Sequence, residues 1–592
     1  MAAIKPQFPL IQINEVLLKE NGQWLHFARP YHLIQADELK DVIPALRELE
    51  ALIGANQWHA AGFLSYEAAP AFDPAHRTRP GTGFPYLWFG LYPSPRIATL
   101  PEAARPKEPL SWLPSVDRDT YHAAIEQIRS YIADGRTYQV NYTMRLQSDF
   151  KIDPWIFFLH LAQTQNNHAA YIDTGRYAIC SASPELFFQL DGNSITCRPM
   201  KGTVSRGRTT VEDSKQAQWL KESEKNRAEN VMIVDMIRND LGRIAKVGSV
   251  HVPELFTVER YPTLWQMTST VRAKSDVSIK DIFTALFPCA SITGAPKVST
   301  MRIISELETA PRKIYTGSIG YISPNRKALF NVAIRTALVD RATETAEYGI
   351  GGGIVWDSTS MDEYSEALLK ARVLTENPPE FSLLETMLWT PEEGFFLREK
   401  HVARLLDSAD YFDFPVSGQD IETYLNDLSS QFTSAQRVRL LLDKNGNLSS
   451  EAKSFLPSDE HYLWKVCLAS QPVNATDIFL FHKTTKRDVY EAARNDFPEY
   501  DDVLLYNEHG ELTEFTTGNL VVQMNGKFFT PPIESGLLAG TFRAHLLEAG
   551  QVEERKIRVE ELKECGKIYL VNSVRKWQLV IVDKVDEEGH FT

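Results

Sequence analysis

The order of apolar and polar positions divides the chain into many short strand-like runs and fewer helical ones. Residues 187–190 and 194–197 flank Asp191-Gly192-Asn193, a pattern that predicts a β-hairpin with a glycine-containing turn of two or three residues. Residues 231–237 repeat their apolar positions on a helical period and run out near Asn239-Asp240-Leu241-Gly242. A second helical pattern covers 360–374, and a new strand pattern begins over 382–389. Residues 438–443 alternate at first and then become a continuous apolar strand-like run. Phe479-Leu480-Phe481 reads as an apolar strand running into Lys483, and residues 536–541 lead into an apolar helix. Strands outnumber simple strand–helix–strand alternation, so an α+β class fits better than a doubly wound sheet.

At 592 residues the chain is too long for one core. The clearest seam is Thr375-Glu376-Asn377-Pro378-Pro379-Glu380-Phe381, because paired prolines cannot continue the preceding helix. It divides the chain into a domain over 1–376 and another over 381–592. Hydrophobic residues make up 43% and charged residues 24%, an ordinary globular balance. The net charge of −14, with no dense Lys/Arg stripe, argues against nucleic acid or an anionic membrane as a partner. Five scattered cysteines lack metal-ligand or redox-motif spacing, and residues 1–6 lack the features of a signal peptide. No apolar run reaches spanning length. A cytoplasmic protein is the simplest expectation.

The predicted hairpin places Glu185 opposite Arg198, Pro199 or Met200, and so near Lys201. A lysine attacks only as its neutral amine, which needs desolvation or a nearby base, and Glu185 is a candidate proton acceptor or general acid. A cross-strand salt bridge explains the same spacing. Glu363, Glu366 and Lys370 share one face of a predicted helix, and Glu229 stands at the start of the apolar helix over 231–237. Glutamates from two helices suit one Mg²⁺, although acids at helix ends more often serve solvation. Gly351-Gly352-Gly353 allows backbone amides to approach a carboxylate, or simply makes a tight turn.

Taken in order, these segments resemble the chorismate-binding family, which includes anthranilate, isochorismate and aminodeoxychorismate synthases. The resemblance runs from about residue 121 to 374. It rests on Tyr138-Gln139-Val140-Asn141-Tyr142-Thr143, Ser183-Pro184-Glu185-Leu186-Phe187, Pro199-Met200-Lys201-Gly202-Thr203 and Ala228-Glu229-Asn230-Val231-Met232-Ile233-Val234-Asp235. Further along come Arg238-Asn239-Asp240-Leu241-Gly242, Ser291-Ile292-Thr293-Gly294-Ala295-Pro296-Lys297 and Tyr315-Thr316-Gly317-Ser318-Ile319-Gly320-Tyr321. The resemblance implies that Glu229 and Glu366 hold Mg²⁺, which grips a chorismate carboxylate. It implies a substrate pocket lined by Gln139, Thr293, Tyr315, Arg335, Gly351, Gly352 and Gly353, with Glu363 and Lys370 beside the metal. Lys201, where anthranilate synthases resemble Pro-Ile-Ala-Gly-Thr, implies covalent attack at C2 and amination at C4. Gln139 agrees with ammonia as the second nucleophile, since water-using relatives place a general-base lysine there. Two positions depart from the family pattern: Gln266 replaces a common histidine, and Asn226 a common glutamate. Residues up to about 118 do not reveal whether a tryptophan pocket is kept. No cysteine sits in a glutaminase-like glycine elbow, so ammonia is expected free or from a separate glutamine amidotransferase.

Beyond residue 381, His401-Val402-Ala403-Arg404-Leu405, the run 479–487, the run 511–519 and the run 536–541 follow the order of the class IV aminotransferase-like pyridoxal phosphate fold. That family includes branched-chain and D-amino acid aminotransferases and aminodeoxychorismate lyase. The resemblance implies Lys483 as the Schiff-base lysine, with Lys486 the competing candidate, and Glu514 opposite the pyridine nitrogen. Arg404, Thr517, Gly540 and Thr541 would hold the phosphate, the last two at a helix N-terminus. Class IV folds commonly pair around their cofactor sites, which implies a homodimer through this domain. The combined expectation is a bifunctional chorismate-to-4-aminobenzoate enzyme of α+β class. A transaminase as second domain and a catalytically weak regulatory fusion are the rivals.

Overall fold

The computed structural model describes residues 11–81, 83–101, 110–164, 168–371, 374, 379–456 and 462–583. The first ten residues, seam residues 375–378 and 372–373 of the expected second helix lie outside the described residues. The chain divides into two compact units. One is Met1–Ser205 with Ala217–Pro378, and the other is Arg206–Gln216 with Pro379–Thr592.

In the first unit the elements that matter are β1 (Gln139–Asp149), β2 (Tyr177–Ser183), β3 (Leu186–Asp191), β4 (Ser194–Arg198), β5 (Met200–Ser205), α1 (Glu224–Gly242), β6 (Leu264–Lys274), β7 (Thr345–Ile354) and α2 (Ser360–Leu369). Two large, predominantly antiparallel sheets face each other. Val16, Ile172, Ile179 and Leu338 of one meet Phe63, Trp88, Ile319 and Leu329 of the other in a shared core. The outer face of the first sheet packs Tyr142, Met144 and Ile350 against helices that include α2. The outer face of the second packs Phe188, Leu190 and Phe330 against Ile233 and Ile237 of α1. The expected hairpin forms with a two-residue turn, Asp191 opposite Ser194, and slips register before Leu186 meets Arg198. α1 begins earlier than its apolar period implied, because Ser223 caps it by accepting from Asn226 N–H, so Glu229 lies inside the helix.

The second unit contains β8 (Leu383–Thr390), α3 (Arg398–Phe412), β9 (Gln436–Leu442), β10 (Asp502–Tyr506), β11 (Leu512–Phe515), β12 (Asn519–Met524) and α4 (Thr541–Glu548). β8 and β9 lie in a small antiparallel sheet packed on α3. β9 alternates along its whole length, since Leu441 stays half-buried between Leu440 and Leu442. The larger sheet mixes parallel and antiparallel pairs and closes on itself where Glu514 of β11 pairs with Asn519 of β12. One expected element is absent. Residues 478–480 form a single 3₁₀ turn rather than a strand, because the Asp477 carboxylate takes the Phe479 N–H at 2.9 Å and turns the backbone inward. No described helix is long and apolar enough to cross a membrane.

Candidate active sites

In the first unit a β-bulge supports the lysine. β5 pairs with β6 at Met200–Thr268 and again at Thr203–Gln266, with one extra residue on the β5 side. Gly202 occupies the bulge at φ +94°, where a β-carbon would be strained and would lie 3.0 Å from Asn226 Cβ. Two side-chain amides fix the backbone there. Asn230 Nδ2 donates to the Lys201 carbonyl (3.4 Å), and Gln266 Nε2 donates to the Gly202 carbonyl (2.9 Å). Gln266 is therefore a backbone brace, and Asn226 covers the bulge and bonds Ser223 instead of adding a carboxylate.

Glu185 follows β2 and is 4% exposed, with Oε1 lacking any hydrogen-bond partner. Burial pushes its pKa up to about 7, against the Ser291 hydrogen bond, the Lys201 charge and the Met200 N–H. Burial likewise pulls the Lys201 amine below its ordinary range, while Glu185 and Glu229 oppose this and Lys370 adds to it. The triplet 351–353 is not a turn but part of β7, paired with Thr143, Tyr142 and Asn141 of β1. A β-carbon at 352 would stand 2.9 Å from Glu363 Oε2, and one at 353 would stand 2.6 Å from Gln139 Nε2 and 3.4 Å from Lys201 Nζ. Gly351 is required by the sheet itself, since its β-carbon would meet the Tyr142 carbonyl at 2.2 Å. Gln139 and Lys201 therefore border one glycine, and Glu363 borders the next.

On α2, Ser358 Oγ donates to Glu363 Oε1 (2.7 Å), and burial, then Glu366, raise the pKa of Glu363. Lys370 Nζ reaches both Glu366 Oε1 (2.8 Å) and the Gly351 carbonyl (3.0 Å). Lys370 acts electrostatically on Lys201 and Glu363 alike, so the α2 and Lys201 groups share one locality. Two further expected residues have structural duties. Thr293 is fully buried with its hydroxyl directed at the Cys289 and Ala290 carbonyls (3.2 Å each). Tyr315 lies beneath Gly349, where a β-carbon would meet its ring at 2.1 Å. Arg335 has a buried NH1 without a partner, and burial lowers its pKa. The orphaned atoms of Glu185, Gln139 and Arg335 are a donor and acceptor set that a polar, anionic ligand would satisfy. Among the described residues no group of three or more His, Cys, Asp or Glu side chains is placed to hold a metal. Glu229 acts electrostatically on Lys201, and Glu366 acts on Glu363 and pairs with Lys370, so both carboxylates face groups of this locality.

In the second unit Lys483 lies in the loop after the 3₁₀ turn, its carbonyl taken by Leu384 N–H (2.9 Å). Burial brings its amine down to about 8, helped by Arg404 and Arg487 and opposed by Glu385 and Glu514. Lys486, the alternative, pairs with Asp488 at the surface. Glu514 is buried and accepts from Tyr490 Oη (2.8 Å), Leu538 N–H (3.1 Å) and Asn519 Nδ2 (3.2 Å), and burial still raises it to about 7. Arg404 is held by both oxygens of Glu385 (2.8 and 2.6 Å) and donates to the Ala539 carbonyl (3.1 Å). Burial alone would raise Glu385, but Arg404 and His401 hold it at about 2. Gly540 opens α4 against Asn519, whose Oδ1 would lie 1.9 Å from a β-carbon there, and Thr541 Oγ1 bonds His401 Nε2 (3.2 Å). Arg404, Lys483, Glu514, Gly540 and Thr541 thus belong to one connected network. The Thr517 hydroxyl, in the turn between β11 and β12, donates to Asp502 at the start of β10.

A family model described as chorismate binding enzyme matches residues 14–376. The chain belongs to the chorismate-binding enzyme family. Residues 382–581 match the class IV aminotransferase model, so the chain joins a class IV domain to the chorismate-binding one. Aminodeoxychorismate synthase of Arabidopsis thaliana is 40% identical over 290 residues, 48% of this chain and 31% of that protein. Aminodeoxychorismate synthase component 1 of Escherichia coli is 41% identical over 271 residues, 45% of this chain and 59% of that protein. The chain thus spans less than two thirds of either relative. Anthranilate synthase component I from Streptococcus pneumoniae has a solved structure with a TM-score of 0.53 and 25% identity, covering 64% of this chain and 95% of that one. Residues 206–216 fall within the chorismate-binding match yet pack in the second unit. Several site neighbours escaped sequence reasoning, namely Ser291, Glu385, His401, Tyr490 and Asn519. Ser291, His401 and Asn519 lie within the motif segments but were given no role there, and Glu385 stands as a lone acid inside the apolar run of β8.

Proposed function

We propose that this chain converts chorismate and ammonia to 4-amino-4-deoxychorismate in its first unit and releases pyruvate and 4-aminobenzoate in its second. The observation that supports it most is Lys201, a half-buried lysine whose desolvated amine lies beside Glu185 and shares with Gln139 the space over Gly353. Neutral Lys201 attacks C2, the two conjugated ring double bonds each shift by one position and the C4–O bond breaks. The proton given up by the amine leaves with the hydroxyl as water, and Glu185 is the group that passes it. Ammonia then forms the C4–N bond, the C2–N bond breaks, and one proton moves from ammonia to the departing Lys201. Arg335 supplies positive charge for a substrate carboxylate. Glu229 and Glu366 would hold Mg²⁺, which would neutralise a carboxylate. The ammonia would come from a separate glutamine amidotransferase.

In the second unit the residues fit pyridoxal 5′-phosphate: a lysine whose amine burial brings down to about 8, an anchored carboxylate, and an arginine beside a glycine-opened helix. When bound, that cofactor withdraws electrons from the carbon bearing the amine. Arg404, Gly540 and Thr541 would hold its phosphate, and Glu514 would hold a proton at its ring nitrogen. Lys483 takes the proton from C4, the C3–O bond breaks as the ring becomes aromatic, and the enolpyruvate released takes up a proton to become pyruvate. The test is the purified chain with chorismate, ammonium and Mg²⁺, with and without pyridoxal 5′-phosphate. Aminodeoxychorismate is expected in both, and pyruvate with 4-aminobenzoate only with the cofactor. Anthranilate as product would overturn the first half; 2-oxoglutarate-dependent amino transfer without pyruvate would overturn the second.

A further inference from the structure

We propose that the segment Arg206–Gln216 is a working part of the second unit and positions Lys483 through His482. The proposal rests on the reading of Lys483 given above. The segment leaves β5 only five residues after Lys201, inside the stretch matched as chorismate-binding, and packs as part of the class IV unit. It is a bonded loop, residues 206–209, running into a helix over Thr210–Glu222, rather than a loose linker. Arg206 Nε meets Asp213 Oδ1 at 2.7 Å, with both side chains about 95% buried. The Gly207 N–H donates to the same oxygen at 2.9 Å, and a β-carbon at 207 would lie 2.2 Å from the Asp213 nitrogen.

The loop is bonded on three sides. Tyr411 Oη donates to the Gly207 carbonyl (2.6 Å), and the Arg206 guanidinium returns a bond to the Tyr411 carbonyl (3.1 Å). Arg208 donates to the Ala475 carbonyl (3.0 Å) and lies 4.9 Å from the Phe481 ring centroid. Its own carbonyl meets His482 Nε2 at 3.2 Å. A carbonyl only accepts, so Nε2 carries the hydrogen and Nδ1 accepts from Ser408 Oγ at 3.0 Å. The Tyr411 ring lies 4.3 Å from the imidazole. Burial lowers His482 to about 4, so this neutral tautomer persists at ordinary pH. His482 is bonded to Lys483 through the backbone, and the Lys483 carbonyl is fixed on β8 by Leu384. The segment therefore holds the residue before the amine, while β8 holds the amine's own backbone. Arg208 and His482 act on the amine through the backbone, which makes them positioning residues.

Trypsin provides the readout, because Arg206 and Arg208 are its cleavage sites. The full chain is digested with and without pyridoxal 5′-phosphate, cleavage after both arginines is followed by mass spectrometry, and the visible band of the bound cofactor is recorded. Cofactor is expected to slow cleavage there about five-fold or more, as ligation of a linked element should. His482→Phe, which keeps a ring but neither hydrogen bond, is expected to abolish that protection and to weaken or shift the band. His482→Gln still donates to the Arg208 carbonyl and should restore most of both. Urea unfolding of the second unit, followed by its near-ultraviolet signal, reports whether each variant is folded. Should His482→Phe fail that check, Tyr411→Phe, which deletes one hydroxyl, is expected to lose the protection in the same way. Cofactor uptake with unchanged cleavage, or protection unaltered in the folded variants, would overturn the proposal alone. No visible band in the unsubstituted chain would overturn the Lys483 reading and this proposal with it.

Discussion

At the scale of single residues, the first site is a pair of groups kept away from their ordinary ionisation. Glu185 has one oxygen unpaired and a carboxyl raised from 4.5 to about 7 by burial. The folded state thus binds this proton more tightly than the unfolded chain. Its stabilising effect is complete below pH 4.5 and is lost as pH rises through 7. Glu185→Gln, a neutral isostere, is therefore expected to stabilise the protein by about 1–3 kcal/mol near pH 8 and by nothing near pH 4. Urea unfolding at the two pH values measures this, and equal effects at both would refute the assignment. The same variant should slow amination about 10²–10⁴-fold if the carboxylate moves the proton. Lys201→Ala is expected to reduce aminodeoxychorismate formation to background without producing anthranilate, checked by chromatography of the products. Retention of full synthesis would remove the covalent role.

Among the elements, β7 and β5 do the positioning. β7 supplies Gly353, over which the Gln139 amide and the Lys201 amine meet, and Gly352, beside Glu363, while β5 bulges at Gly202 so that paired amides hold the Lys201 backbone. Gly353→Ala is expected to push the Gln139 amide aside and crowd the Lys201 amine, lowering amination roughly 10- to 100-fold because small misplacements are costly at a reacting centre. Its melting temperature should move by no more than a few degrees, since the atom displaced is the end of a flexible side chain. Calorimetry beside steady-state rates separates the two; a large loss of stability with an unchanged rate per folded molecule would place Gly353 in the scaffold instead.

For the whole molecule, the two chemistries should separate cleanly by substitution. Lys483→Ala is expected to leave aminodeoxychorismate accumulating, with no pyruvate even when cofactor is supplied. Simultaneous loss of amination would mean that the variant disturbs more than the second site. A fragment spanning 379–592 lacks the loop that Tyr411, Ala475 and His482 bond, and loses the buried Arg206–Asp213 pair with it. Such a fragment is expected to unfold at lower urea than the second unit of the intact chain, measured by the near-ultraviolet signal of that unit. Equal midpoints would show that the loop adds nothing to its stability.

The chemistry-bearing residues were legible in the sequence because each lies in a short segment whose residue types are set locally. Lys201 in its five-residue motif, Glu185 beside a hairpin, glutamates three residues apart on α2, and a lysine followed by arginine beyond an apolar run are patterns of that kind. The α+β class was legible too, since strand alternation and helical period are properties of neighbouring positions. What the sequence left open depended on distant partners. Residues 478–480 are as apolar as a strand, but the Asp477 carboxylate turns them into one 3₁₀ turn. The glycine triplet reads equally as a turn until β1 is paired beside it. Gln266 reads as a lost acid until it is found bracing Gly202. The desolvation of the Lys201 amine likewise waited on packing, because no local pattern confers it. The membership of residues 206–216 in the second unit was the furthest from view, because nothing in their local pattern names Tyr411 or His482, some two hundred or more positions away. The sequence by itself therefore determined which groups are available and on which elements they ride. The tertiary structure alone decided which of them meet, and which meet with water excluded, since desolvation is a property of the assembled core and not of any segment.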